Sequence, residues 1–182
     1  MTDSVALHPV AQLRQYDEQF KALPRNLPGG QLEAGVLWRA IGFRIGRFHL
    51  AASMDQVREV LTDPLVSRVP GAKPWVRGLA NVRGRLVTLV DTPHFLRLDR
   101  ATGGRGARAL FVETGDLNVG LLVDQVFGAR QFPESDRTEG AGDAPDTLRA
   151  YVSSRITGGT DTWYVMDIAR LVADPAFLNA AA

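Results

Sequence analysis

The 182-residue sequence contains no cysteine. That excludes disulfides, thiolate metal ligands and thiol nucleophiles, and it fits a reducing compartment. Lysine is scarce as well. Nineteen of the twenty-one basic residues are arginine, which means either a bias toward planar, bidentate pairing or a genomic preference for arginine codons. No apolar run approaches the roughly 20 residues needed to span a bilayer. The opening MTDSVALHPV lacks the basic and apolar regions of a secretion signal. These absences predict a cytoplasmic protein with no direct membrane insertion.

Catalytic constellations are missing too. His8, His49 and His94 have no metal-ligand spacing, and there is no G-x-S-x-G and no Walker loop. The Gly-rich stretch ATGGRGAR (101–108) holds no complete G-x-G-x-x-G. No catalytic residue, metal or cofactor is expected, which leaves binding as the work available.

The charge balance of +1 hides an uneven distribution. Residues 1–67 are balanced at seven against seven, residues 68–108 carry nine basic groups against two acidic, and residues 109–182 carry five against eleven. A basic middle and an acidic final part suit the steering of protein partners. Small barrels with a basic stretch also bind nucleic acid, the competing reading. Against it stand a pI of 8.2, an acidic second half, and only Trp75 and Phe95 as aromatics in the basic segment, both with a core-facing pattern.

Leu7, Val10, Leu13, Phe20 and Leu23 recur on one face of an amphipathic helix, which Pro24, Pro28, Gly29 and Gly30 end. Residues 1–35 therefore read as a helical arm and linker. From Val36 on the pattern is of short strands. Ile41, Phe43 and Ile45 alternate, Gly46-Arg47 turns the chain, and Asp55–Leu61 reads as a third β-rich run. Trp75–Val82 and Leu86–Val90 bracket Asn81-Val82-Arg83-Gly84, a hairpin whose glycine can take positive φ and hold Arg83 at the tip. A solvated turn arginine satisfies the same pattern.

The sequence also repeats itself. At an offset of 69 residues Phe43, Gly46, Phe48 and Leu50 fall on Val112, Gly115, Leu117 and Val119, and Asp55-Gln56-Val57 falls on Asp124-Gln125-Val126. At 76, Val87–Asp91 falls on Trp163–Asp167, and the acidic stretch Glu134–Thr147 accommodates the difference. The expectation is an all-β fold of two related small-barrel modules sharing a buried interface. The first module covers about 36–100, the second about 107–174 with strands open to exchange, and 175–182 forms a tail. Asp55, Asp91, Asp124 and Asp167 recur at module positions suited to capping turns and helical starts.

Val69-Pro70, Pro74, Gly78, Asn81-Val82-Arg83-Gly84 and the strand ending in Asp91, followed by Gly120-Leu121-Leu122-Val123-Asp124-Gln125-Val126, together resemble the two signatures of the CheW-like domain over about 36–174. Ala40–Arg44, Lys73-Pro74-Trp75 and Asn81–Arg85 are similar to its PilI-type branch, adaptors of the type IV pilus twitching-motility pathway. The resemblance implies two pseudo-symmetric five-stranded SH3-like barrels sharing a core, with short helices. It also implies a non-catalytic adaptor in a chemosensory array, recruited to the membrane by a methyl-accepting chemoreceptor and coupling it to the regulatory domain of a CheA-type histidine kinase. It implies that Val57 and Glu59 face the kinase, that Arg83 couples receptor and kinase on a turn held by Asn81 and Gly84, and that Val126 lies near the receptor surface. Val57 packing the core and Glu59 as a solvated strand residue satisfy the sequence equally. The family's I-x-P-x-P stretch is replaced here by Phe132-Pro133-Glu134 and an acidic loop.

Overall fold

The computed structural model describes residues 36–99, 108–115, 117–158 and 161–181. The amphipathic helix expected over 7–23 and the connector at 101–107 lie outside them. Gly35–Ala182 forms one unit, built mainly of strands as the periodicity predicts. In chain order these are β1 (Leu37–Ile45), β2 (Phe48–Ser53), β3 (Glu59–Thr62), β4 (Val76–Val82), β5 (Arg85–Asp91), β6 (Arg108–Thr114), β7 (Leu117–Val123), β8 (Gln125–Pro133), β9 (Arg137–Glu139), β10 (Val152–Gly158) and β11 (Asp161–Met166).

The strands form two sheets, ordered β3-β6-β7-β5-β4 and β8-β1-β2-β11-β10-β9. Apart from the three-residue β9 the two orders are the same, related by the offsets read from the sequence. Thus β5 pairs in parallel with β7 through Leu89 and Gly120, and β11 with β2 through Val165 and Ala51. Likewise Glu59 opposes Phe111, and its counterpart Gly128 opposes Gly42. Each sheet takes two strands from the other sequence repeat. The expected pair of pseudo-symmetric SH3-like barrels is therefore present, with β1 and β2 exchanged against β6 and β7.

Three apolar clusters follow from this exchange. Ala80, Val87, Leu89, Ala109, Phe111 and Leu122 fill one barrel; Ala40, Ala51, Phe132, Ile156 and Val165 fill the other. The largest cluster lies between them and draws on both sheets, including Phe43, Leu50, Leu110, Leu121, Tyr164 and Leu171. Alternation explains the division: Ala109 and Phe111 on β6 face their own barrel, while Leu110 and Val112 face the shared core. A 60–70-residue module buries too little surface to be robust alone, and this shared cluster supplies what each lacks.

Two of the repeated aspartates cap helical starts as the sequence suggested, whereas Asp55 instead accepts from the Ser53 hydroxyl. Asp91 caps the helical turn Thr92–Phe95 by accepting from the His94 N–H, and Asp167 caps Ile168–Val172 by accepting from the Arg170 N–H. Asp124 accepts from the Gly46 N–H at 2.5 Å, tying the two repeats together.

Two expectations need correction. The run Asp55–Leu61 is not all strand. Met54–Gln56 is a 3-10 turn, and β3 begins only at Glu59. The Ser53 hydroxyl hydrogen-bonds to the Asp55 carboxylate, a local alternative to ladder pairing, and pairing starts where the Arg58 N–H reaches the Phe111 carbonyl at 2.8 Å. The segment set apart as a tail is also integral. Phe177, on the helical turn Pro175–Leu178, is 5 % exposed. It stacks on Trp75 at 5.7 Å and meets Phe95 edge-on at 5.2 Å.

Candidate docking site

β4 and β5 are joined by the two-residue loop Arg83-Gly84, both residues in the left-handed region (φ 52° and 82°). This is the primed-turn geometry whose twist matches an antiparallel pair. A side chain at Gly84 would meet nothing within 4 Å, so glycine is required there by conformation and not by space. Asn81 Oδ1 accepts from the Gly84 N–H at 2.8 Å and locks the loop. The turn thrusts Arg83 outward, with its side chain 83 % exposed.

The guanidinium is nevertheless engaged. Arg83 Nη2 lies 2.7 Å from Glu59 Oε2. Glu59 opens β3, and β3 and β4 are the two outer strands of their sheet, so the ion pair spans the barrel's open side. Beside it, Arg58 meets Glu113 at 3.2 Å, and Arg85 binds the same carboxylate. Three arginines and two glutamates thus gather at one end of the barrel. Leu86 (64 % exposed) and Leu117 (41 %) stand next to them, on strands whose parallel register begins two residues later at Thr88 and Val119.

The structure brings Glu59, Asn81, Arg83 and Gly84 together. It does not bring Val57 or Val126 to that cluster: both are partly buried against the shared core, the packing role the sequence left open. Glu113, Arg58 and Arg85 were missed as partners because the β3–β6 ladder brings Arg58 to Glu113 and the β5–β7–β6 pairing brings Arg85 to it across 28 residues.

At the matching end of the other barrel the chemistry differs. Phe127, beside Val126, meets Trp163 edge-on at 5.6 Å, His49 stacks on Trp163 at 5.0 Å, and the Arg130 guanidinium lies over both Phe127 and Trp163. Gly42 leaves room for the indole, since a Cβ there would come within 3.0 Å of it. The first end is ionic, and the second is aromatic.

Two exchanged SH3-like barrels with charged and aromatic ends define a double-barrel binding module. A family model for the CheW-like domain matches residues 39–176, and the chain belongs to that family. It is 35 % identical over 173 residues to Protein PilI of Pseudomonas aeruginosa, covering 95 % of this chain and 96 % of that one, which assigns it to the PilI-type branch. Protein FrzA of Myxococcus xanthus is 30 % identical over 94 residues, covering 52 % of this chain and 59 % of FrzA. The crystal structure of the scaffolding protein TtCheW from Thermoanaerobacter tengcongensis superposes with a TM-score of 0.68 at 17 % identity, covering 78 % of this chain and 96 % of that one. That likeness speaks for the fold.

Proposed function

We propose that the protein is a non-catalytic adaptor that couples a methyl-accepting chemoreceptor to the regulatory domain of a CheA-type histidine kinase, in an array controlling type IV pilus twitching motility. The observation that carries this reading is the Arg83–Glu59 pair. It sits on a locked turn at a barrel end rich in paired charges, with two leucines exposed beside it. Such a surface can exchange its internal ion pair for charges on a partner while burying Leu86 and Leu117. Glu59 and Arg83 are assigned to kinase contact, with Asn81 and Gly84 as positioning residues. Val126 and the aromatic layer next to it are assigned to the receptor side, and Val57 supports the kinase-facing barrel by packing against the shared core. The protein works in the cytoplasm and reaches the membrane through its receptor; among the described residues no helix is long and apolar enough to cross one.

Calorimetric titration with the kinase regulatory domain, and separately with the receptor's cytoplasmic tip, tests the assignment. Arg83→Glu weakens kinase-domain binding by about tenfold or more, as truncation of a central charge does. Glu59→Arg weakens kinase binding more than receptor binding. Unchanged affinities in Arg83→Glu would sink the reading, and the reverse order for Glu59→Arg would mean the two surfaces are exchanged.

A further inference from the structure

The loop between β3 and β4 presents apolar side chains to solvent from a clamped backbone. Leu65 is 93 % exposed, and Val66 and Val69 are 42 % and 40 % exposed. Two β-bridges hold the loop. Ser67 and Leu79 exchange hydrogen bonds of 2.8 Å, and Ala72 pairs with Ala181 while the Lys73 N–H donates to the Ala180 carbonyl at 2.9 Å. Gly78 (φ 140°) makes the first bridge possible, because a Cβ there would collide with the Ser67 carbonyl. An apolar loop ordered in this way carries its exposed surface without the conformational freedom that would let it fold away.

Beside the loop is a cavity of about 390 Å³, lined by Val66, Val69 and Val76 together with Arg68, Lys73 and Arg77, with no aspartate or glutamate among the described residues that line it. Arg77 faces the buried Asp91 at 4.0 Å. Arg68 and Lys73 have no carboxylate partner among the described residues. Lys73 also lines an adjoining cleft of about 440 Å³ with Trp75, His94 and Arg97. The basic middle of the sequence therefore becomes a concave, cationic surface with apolar projections.

We propose that this loop face docks an acidic, leucine-bearing segment of a protein partner. Carboxylates would meet Arg68 and Lys73, and an aliphatic side chain would enter the cavity against Val66 and Val69. The concavity suits a side chain better than a flat bilayer, and among the described residues the first cavity has no aromatic on which a base could stack. The face lies at the start of β4, whereas the Arg83 turn follows its other end, about 20 Å along an extended strand.

Fluorescence anisotropy with the full chain tests it, using a labelled synthetic peptide of glutamates with two leucines, a leucine-free counterpart, phosphatidylserine-containing vesicles and single-stranded DNA. The leucine-bearing peptide binds about tenfold tighter than its counterpart. Charge reversal at Arg68→Glu and Lys73→Glu lowers that affinity about tenfold, and Val69→Ser removes the advantage of the leucines. Arg83→Glu leaves peptide binding unchanged, so failure here is distinguishable from failure of the kinase assignment. Equal binding of the two peptides, indifference to charge reversal, or loop-dependent binding of vesicles or DNA in place of peptide would each overturn the proposal.

Discussion

Arg83 and Glu59 are joined across 2.7 Å although they stand 24 residues apart, one at the tip of a turn and the other at the start of an edge strand. The pair closes the side of a barrel that the strand order leaves open. Because the Arg83 side chain is 83 % exposed, solvent screens the attraction, and such pairs contribute about 0–1 kcal/mol. Arg83→Glu therefore shifts the melting temperature by no more than about 4 °C. A larger loss in differential scanning calorimetry would make the pair a structural clasp and confound the binding test.

Gly78 and Gly71 both have positive φ, but only Gly78 is crowded by backbone. Gly78→Ala costs about 1–3 kcal/mol through overpacking and detachment of the Ser67 bridge, in addition to its backbone strain. Gly71→Ala, with nothing within 4 Å of its Cβ, has only the strain of its conformation. Urea denaturation of the two variants should rank them in that order.

Phe177→Ala removes a ring packed against Trp75 and Phe95. The expected loss is about 3–5 kcal/mol, with a red-shifted indole emission as water reaches Trp75. Equal stability in guanidinium titration would show that the C-terminal turn is not part of the cooperative unit.

Two tyrosine–carboxylate pairs make stability depend on pH at both extremes. Tyr151 donates to Asp174 and Tyr164 to Asp143, each at 2.7 Å. Burial first, and then the bonded carboxylate, push both phenols from 10.0 to about 12. The phenol hydrogen bonds hold Asp174 and Asp143 below the usual 3.8. A raised phenol stabilises fully below pH 10 and loses its contribution as pH rises through about 12. A depressed carboxyl stabilises above 3.8 and loses its contribution as pH falls through its lower folded value. Phenolate absorbance should show both ionisations near 12, and Tyr151→Phe and Tyr164→Phe should each remove one.

Much of the fold was legible because strands and turns announce themselves locally. Alternation marked β1 and β2, Asn81 and Gly84 marked the tight turn, and offsets of 69 and 76 residues matched the copies, so that Leu89 and Gly120 in one sheet correspond to Val165 and Ala51 in the other. Asp55-Gln56-Val57 misled because its β-prone composition competes with a serine–aspartate hydrogen bond inside one turn. The tail misled because four residues, Pro175–Leu178, carry no periodic signal strong enough to reveal where Phe177 goes. The sequence alone determined that there are two related β-modules and that an arginine stands on a turn closed by glycine, since backbone preference and side-chain alternation act over a few residues. Tertiary structure alone decided that the modules exchange strands, that Arg83 finds Glu59, and that Val57 and Val126 turn inward. Those outcomes depend on which distant strands pair and on the shared core they enclose, and no short stretch of chain encodes either.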